Sequence, residues 1–323
     1  MTGQNVTMSE DCLFLNLFTP TLTPPSPLPV MVYIYGGGFM QGWSQQMDSS
    51  GLATDTVQVN FNYRLNALGL FAHPDLQEES PNNATSGMNS VLDQVVALEW
   101  VQQNIHLFGG DPDRVTIYGE SAGGCSVCYH LVSPLSKDLY KHAIVESGPC
   151  VGPWGIETAD TREAFTLAKA FMFGAGAQTI EELRAIDVDD LMEKYGGKNY
   201  PLISYDNYVL QNNQLPADYI ASGLINAETV VVGSNTVDSM DMEPWLSMSG
   251  KTLPSNKLAY EASIALHFAG FKSKVVEEYK EEADVGYDHA IQQISADICV
   301  RCPTVALAGM LAESTDAKVH MYR

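Results

Sequence analysis

Ser121 sits in the run Gly119-Glu120-Ser121-Ala122-Gly123. A serine hydroxyl is a weak nucleophile until a base takes its proton, so the residue type alone predicts nothing. The spacing adds more. Glycines two residues to either side let the chain turn sharply from strand to helix, which lifts the hydroxyl to the edge of a sheet. The flanks agree with this: Val115-Thr116-Ile117-Tyr118 is a short apolar strand pattern, and an apolar helical pattern runs on from Ser121 to about Leu131. The chemistry expected is attack on a carbonyl carbon, an acyl-enzyme, and water to resolve it. Such attack builds negative charge on the carbonyl oxygen, which needs N–H donors. Gly36-Gly37-Gly38-Phe39, at the end of an apolar run over residues 30–35, can provide them, because glycines permit positive φ and close backbone approach. Gly37, Gly38 and Ala122 are the expected oxyanion hole. A lone G-x-S-x-G recurs by chance and a lone glycine run is often a plain turn; each is informative because the other is present.

These residues need a scaffold. Residues 13–18 alternate and end at Pro20, which reads as a strand. The continuous apolar run over 30–35 predicts a strand buried on both faces, as in a parallel sheet. Residues 57–61, 143–146, 230–233 and 318–322 are further strand patterns. Residues 91–105 carry apolar side chains at helical spacing, ended by Gly109-Gly110-Asp111-Pro112. Strands alternating with helices predict an α/β fold, with a mostly parallel central sheet flanked by helices. Residues 158–227 and 240–300, the latter with a helical stretch over 257–279, fall between strands. They are expected to be helical cap insertions over the carboxyl edge of the sheet, where α/β proteins bind ligands.

The composition sets outer bounds. With 323 residues and 45% hydrophobic content, wholesale disorder is excluded. Asp and Glu outnumber Lys and Arg by 39 to 17, for a net charge of −22. That argues against nucleic acid or an anionic membrane as partner, and fits a solvated acidic surface better than a cation-binding cleft. No apolar run approaches the ~20 residues of a membrane span, and the start shows no signal-peptide pattern. The cysteines (Cys12, Cys125, Cys128, Cys150, Cys299 and Cys302) do not make a dense disulfide framework. Cys299-x-x-Cys302 lacks the second pair that zinc requires. Cys125 and Cys128 are expected as small buried helix residues. Neither a metal nor an organic cofactor is expected. Asn5-Val6-Thr7 and Asn83-Ala84-Thr85 match the glycosylation acceptor pattern.

Ser9-Glu10-Asp11-Cys12-Leu13-Phe14-Leu15-Asn16-Leu17 resembles one signature of the type-B carboxylesterases, the family that includes the cholinesterases. Phe108-Gly109-Gly110-Asp111-Pro112, followed by the Ser121 run, resembles the other. Tyr35-Gly36-Gly37-Gly38-Phe39, Asn62-Tyr63-Arg64 and Leu92-Asp93-Gln94 resemble further blocks in the same order. The resemblance is dense from residue 9 to about 154 and thinner onward to 323. It implies an α/β-hydrolase fold, one incomplete domain over 1–323, a small-molecule ester as substrate and no cofactor. Asn235-Thr236-Val237-Asp238 resembles the Asn-x-x-Glu block that carries the acid of the triad. Asp238 is therefore the candidate acid, one methylene shorter than Glu, with Asp241 and Glu243 as alternatives. Arg64 and Asp93 resemble a structural ion pair, and Glu120 an acidic residue lining the gorge floor. Cys12 and Cys302 resemble cysteines whose partners lie further upstream and downstream. The choline-binding tryptophan of the cholinesterases falls near Thr2, so choline-ester specificity is unsupported. Many members enter the secretory pathway, which the resemblance implies here.

Chain order in this fold is serine, acid, histidine. In the resembled family the histidine lies in a Gly-x-x-His-Gly block, after a strand like Val319-His320-Met321-Tyr322-Arg323. Of the seven histidines, His73, His106, His130 and His142 precede Asp238. His267 and His289 sit in helical patterns, and His320 is on the last strand. None has the loop context. The expectation is a fragment that lacks both ends of the family's chain, with its base beyond Arg323, inert on esters by itself. Loss of the base cost about 10⁶-fold in one serine protease. The competing expectation is a non-catalytic, cholinesterase-like binding or adhesion module, although such proteins typically lose the serine. An amidase or lactonase would share the mechanism and differ in leaving group.

Overall fold

Val30, Val32 and Ile34 are wholly buried along strand β2 (Leu28–Ile34), and its neighbour β3 (Val57–Phe61) is buried at every position. Strands covered on both faces have no solvent side, which is why β2 is a nearly continuous apolar run; β3 also buries the polar Gln58 and Asn60, both hydrogen-bonded. With β1 (Leu15–Phe18), β4 (Gly110–Glu120), β5 (His142–Glu146), β6 (Thr229–Gly233) and β7 (Lys318–Tyr322) they form one sheet. Its order is β1-β3-β2-β4-β5-β6-β7. Only β1 is antiparallel to its neighbour; the other pairs are parallel. This computed structural model describes residues 9–80, 87–151, 161–194, 206–210, 214–236, 238, 253–268 and 270–323. The Asn5 and Asn83 acceptor patterns, Thr2, Asp241 and Glu243 lie outside the described residues.

Strand β4 is longer than its apolar pattern. Gly110-Asp111-Pro112 reads as a break, yet Gly110 pairs with Leu28 and the register shifts before Val30 meets Val115. An irregularity in the ladder absorbs residues that a regular strand would reject. The helix Asn89–Asn104 turns Val91, Leu98 and Val101 into the core and leaves Val96 at 62% exposure. The helix Ala122–Val132 is buried along its whole length, at the centre of the sheet.

Smaller clusters lie beside the main core. Ala168 and Met172 of helix Thr161–Ala175 pack with Ile180, Ala67 and Phe71. Tyr260 and Ile264 of helix Lys257–His267 pack with Ala290 and Ile294 of helix Tyr287–Ala296. The single helical stretch expected over 257–279 is two helices, Lys257–His267 and Lys272–Glu278, with Gly270 at a turn between them; glycine is a poor helix former. Helix Pro216–Ala221, within 158–227, places Tyr219 and Ile220 in the main core. The helical run Tyr287–Ser314 passes through a π turn at Asp297–Arg301. Among the described residues it is the one helix long and apolar enough, by length and composition, to cross a membrane. Its Leu307, Ala308 and Leu311 are buried in the main core of the sheet.

Cys128 corrects its expectation. It forms a disulfide with Cys150, 22 residues away, joining helix Ala122–Val132 to the segment after β5. The pairing depends on that segment folding back against the helix, which sequence spacing does not reveal. Cys125 is buried and free; Cys12, Cys299 and Cys302 are also free.

Candidate active site

Strand β4 ends at Glu120 and the helix begins at Ala122, so Ser121 alone makes the turn. Its φ of 58° and ψ of −122° lie where residues with a Cβ are rarely found. Such a conformation persists only when its surroundings over-determine it. Here they do. A Cβ on Gly119 would lie 2.5 Å from the carbonyl oxygen of Ile34, and one on Gly123 would collide with the same oxygen. A Cβ on Gly148 would collide with the carbonyl of Ser121. The Ser121 N–H donates to Glu146 O over 3.0 Å, and Ser121 O accepts from Cys125 N–H at 2.9 Å. The turn is therefore clamped between β2 and β5. It also opens a helix, whose first N–H groups have no intrahelical acceptor and favour negative charge.

The glycine loop lies against this turn. Tyr35 and Tyr63 stack with ring centres 4.3 Å apart. The Tyr63 hydroxyl donates to Tyr35 O over 2.6 Å, and the Tyr35 hydroxyl to Tyr63 O over 3.2 Å. Beyond this anchor, Gly37 (φ 107°), Gly38 (φ 66°) and Phe39 (φ 57°) are all left-handed. Phe39 tolerates this because its ring is wholly buried and holds the loop down. A Cβ on Gly36 would lie 2.6 Å from Glu120 O and 3.1 Å from Ser121 Cβ. Among the backbone hydrogen bonds of the described residues, none is donated by Gly37, Gly38 or Ala122. Gly37 and Gly38 are only half-buried.

Asp238 is held by three donors. Its Oδ2 accepts from Ser147 Oγ at 2.7 Å and from Asn235 N–H at 2.7 Å, and its Oδ1 from Asn235 Nδ2 at 2.9 Å. Ser147 directly follows β5, and its own N–H donates to Gly233 O over 2.8 Å. Nothing in the sequence around Ser147 announces this role, because its partner lies 91 residues away. Glu120 and Glu146 are register partners at the ends of β4 and β5. Partial burial first, then repulsion from Asp238 and Glu146, raises the pKa of Glu120, whose side chain stays open to water on one side. Burial, then Glu120 and Glu146, pushes Tyr33 up to about 12. Burial and the same carboxylates, with Asp238, raise Tyr322.

All seven histidines are among the described residues, and none is hydrogen-bonded to Asp238. His130 is wholly buried between Ser136 and Gln94. His142 begins β5, at the opposite end from Glu146, and His320 is exposed on the edge strand β7. Arg64 grips Asp93 bidentately, Nε to Oδ2 at 2.8 Å and Nη2 to Oδ1 at 2.7 Å, and its N–H adds a third bond of 2.9 Å. This pair ties the segment after β3 to helix Asn89–Asn104. Among the described residues no group of three or more His, Cys, Asp or Glu is placed to hold a metal ion.

The profile of the carboxylesterase family matches residues 1–323. The fumonisin B1 esterase of Sphingopyxis macrogoltabida is 40% identical over 240 residues, 70% of this chain and 42% of that protein. The pyrethroid hydrolase Ces2e of Rattus norvegicus is 51% identical over 156 residues, 47% of this chain and 26% of that protein. The cholinesterase of Mus musculus is 30% identical over 340 aligned residues, 97% of this chain and 55% of that protein. The chain thus spans from about a quarter to about half the length of these curated relatives.

Proposed function

Because the chain belongs to the carboxylesterase family and has its α/β-hydrolase fold, we propose that the protein hydrolyses small-molecule carboxylic esters through an acyl-enzyme on Ser121. Ser121 Oγ attacks the ester carbonyl while its proton passes to an imidazole. The N–H groups of Gly37, Gly38 and Ala122 receive the oxyanion; a donor of this kind contributes about 2.7–4 kcal/mol to the transition state. Asp238 orients the imidazole and stabilises its charged form. The imidazolium returns its proton to the leaving alcohol, and water repeats the sequence to release the acid. Glu120, beside Gly36, helps position that water or the imidazole. Arg64 and Asp93 serve the scaffold. Residues 158–227 and 240–300 act as caps that shape the acyl and alcohol subsites. The imidazole belongs to a histidine that the 323 residues do not provide, since none of the seven reaches Asp238. The Cys128–Cys150 disulfide fits folding in an oxidising compartment, as in the secretory pathway.

The observation that carries this reading is the left-handed Ser121, held against a glycine loop and a helix start in which Gly37, Gly38 and Ala122 donate no backbone hydrogen bond among the described residues. A non-catalytic binding module has no use for that strain. The test is turnover of a p-nitrophenyl ester by the 323-residue chain and by a longer form carrying a Gly-x-x-His-Gly block. The chain should be inert and the longer form active, with activity lost in Ser121→Ala. Ser121-dependent turnover by the 323-residue chain would refute the missing base. Failure of a fluorophosphonate to label the longer form at Ser121 would refute the esterase reading.

A further inference from the structure

Behind the Ser121 turn runs an unbroken line of side-chain hydrogen bonds. Ser136 Oγ is 2.7 Å from His130 Nδ1, and His130 Nε2 is 2.9 Å from Gln94 Oε1. Gln94 Nε2 donates to Ser126 Oγ over 3.0 Å, and Ser126 Oγ donates to the carbonyl of Ala122 over 3.0 Å. Gln94, Ser126, His130 and Ser136 are all wholly buried, so water cannot correct a misplaced proton. Residues 122, 126 and 130 are four apart on one helix and share a face. Gln94 reaches across from helix Asn89–Asn104 to join two of them.

The direction of the line follows from the number of protons. Ser126 has one hydroxyl proton and gives it to Ala122, so it can only accept from Gln94. Gln94 must then turn its NH₂ to Ser126 and its oxygen to His130. His130 must present an N–H at Nε2. A neutral imidazole carries one N–H, so Nδ1 is bare and accepts from Ser136. Turning the Gln94 amide over would set the single Ser126 proton between two acceptors, and a buried acceptor left without a donor is costly. A second proton on His130 is opposed by burial, which lowers its pKa to about 3.

We infer that these groups form a proton-ordered relay with His130 locked as its Nε2–H tautomer, and that Gln94, Ser126 and His130 are positioning residues for the Ser121 turn. Every donor points toward the helix N-terminus, and the line ends on Ala122, the residue assigned one oxyanion N–H above. The relay fixes the first turn of that helix from behind. Only its kinetic consequence rests on the reading of Ser121 as nucleophile.

The first test is ¹⁵N NMR of the histidine-labelled 323-residue chain. His130 should show a pyridine-type Nδ1 and a pyrrole-type Nε2 at neutral pH, and Ser136→Ala should shift Nδ1. A proton on Nδ1, or an imidazolium, would overturn the relay. The second test is kinetic, in the longer form that includes the base. Gln94→Met and Ser126→Ala should lower kcat by about 10- to 100-fold, the scale of a small misplacement at a reacting centre. KM should stay within about twofold, because only the transition state loses support. An unchanged kcat in a folded variant would overturn the positioning role. Should Gln94→Met fail to fold, Ser126→Ala, which removes one hydroxyl, decides the matter. If no form shows Ser121-dependent turnover, the nucleophile reading falls and the NMR result still decides the relay.

Discussion

Ser147 shows what a single hydroxyl can do at a distance. It donates to Asp238 at 2.7 Å and joins the end of β5 to the turn that follows β6. A hydrogen bond to a charged group is worth about 1.5–3 kcal/mol. If the proposed ester hydrolysis holds, Ser147→Ala in a form that turns over esters should lower kcat by about tenfold while KM changes little, as measured by steady-state ester kinetics. A wild-type kcat would show that Asn235 suffices. His130 leads to a different prediction. Its pKa of about 3 in the fold lies below the ~6.5 of an unfolded chain. The folded state therefore binds fewer protons, so this contribution to stability is complete above about pH 6.5 and is lost as pH falls toward 3. The slope reaches at most about 1.4 kcal/mol per pH unit. Urea midpoints near pH 7.5 and near pH 5 should therefore fall further in the wild type than in His130→Asn. The Ser121 turn and the Gly36–Gly38 loop are legible in the sequence because their geometry is local: small residues, a turn, a strand before and a helix after. Ser147, Gln94 and His130 are not, because each takes its meaning from a partner that only the folded chain brings near.

At the scale of elements, apolar runs reveal the strands well. Residues 57–61 and 318–322 form β3 and β7 with the bounds their patterns give, although β3 is buried at every position and the edge strand β7 is largely exposed. The pattern fails where backbone pairing and side-chain hydrogen bonds rather than apolar residues hold the chain, as at Gly110-Asp111-Pro112, and where one glycine divides a helical stretch, as at Gly270. It is silent on the Cys128–Cys150 disulfide. That bond fastens the helix that opens on Ser121 to the segment that begins with Ser147, so the Ser121 turn and the Ser147 anchor of Asp238 share one staple. For a loop of this size, the chain-entropy account gives about 3 kcal/mol. Cys128→Ala should lower the urea-derived stability by that order, and a reducing agent should bring the wild type down to the same value. Unchanged stability would mean that packing alone holds the two segments together.

For the whole molecule, two opposing properties meet at the surface. Phe14, Phe173, Leu258, Leu266 and Phe271 are 58%, 88%, 81%, 80% and 62% exposed, and among the described residues both edge strands of the sheet, β1 and β7, pair on one side only. Exposed apolar patches and open edges favour association. The net charge of −22 opposes it through mutual repulsion. Salt weakens only the second, because the screening length falls from about 30 Å at 0.01 M to about 3 Å at 1 M. Light scattering of the chain should therefore rise as salt is added at constant protein concentration. Scattering that stays at the monomer value throughout would mean that the apolar residues lie too far apart to act together.

The backbone of Ser121 has a consequence for how such a chain changes over generations. Its φ of 58° and ψ of −122° are open to glycine at little cost and to any other residue only under strain of about 1–3 kcal/mol. Ser121→Gly should therefore make the protein more stable, by about 1 kcal/mol in chemical denaturation. Selection on folding alone would favour that replacement. A descendant in which position 121 had no chemical role would be free to take it, and would be the sturdier protein.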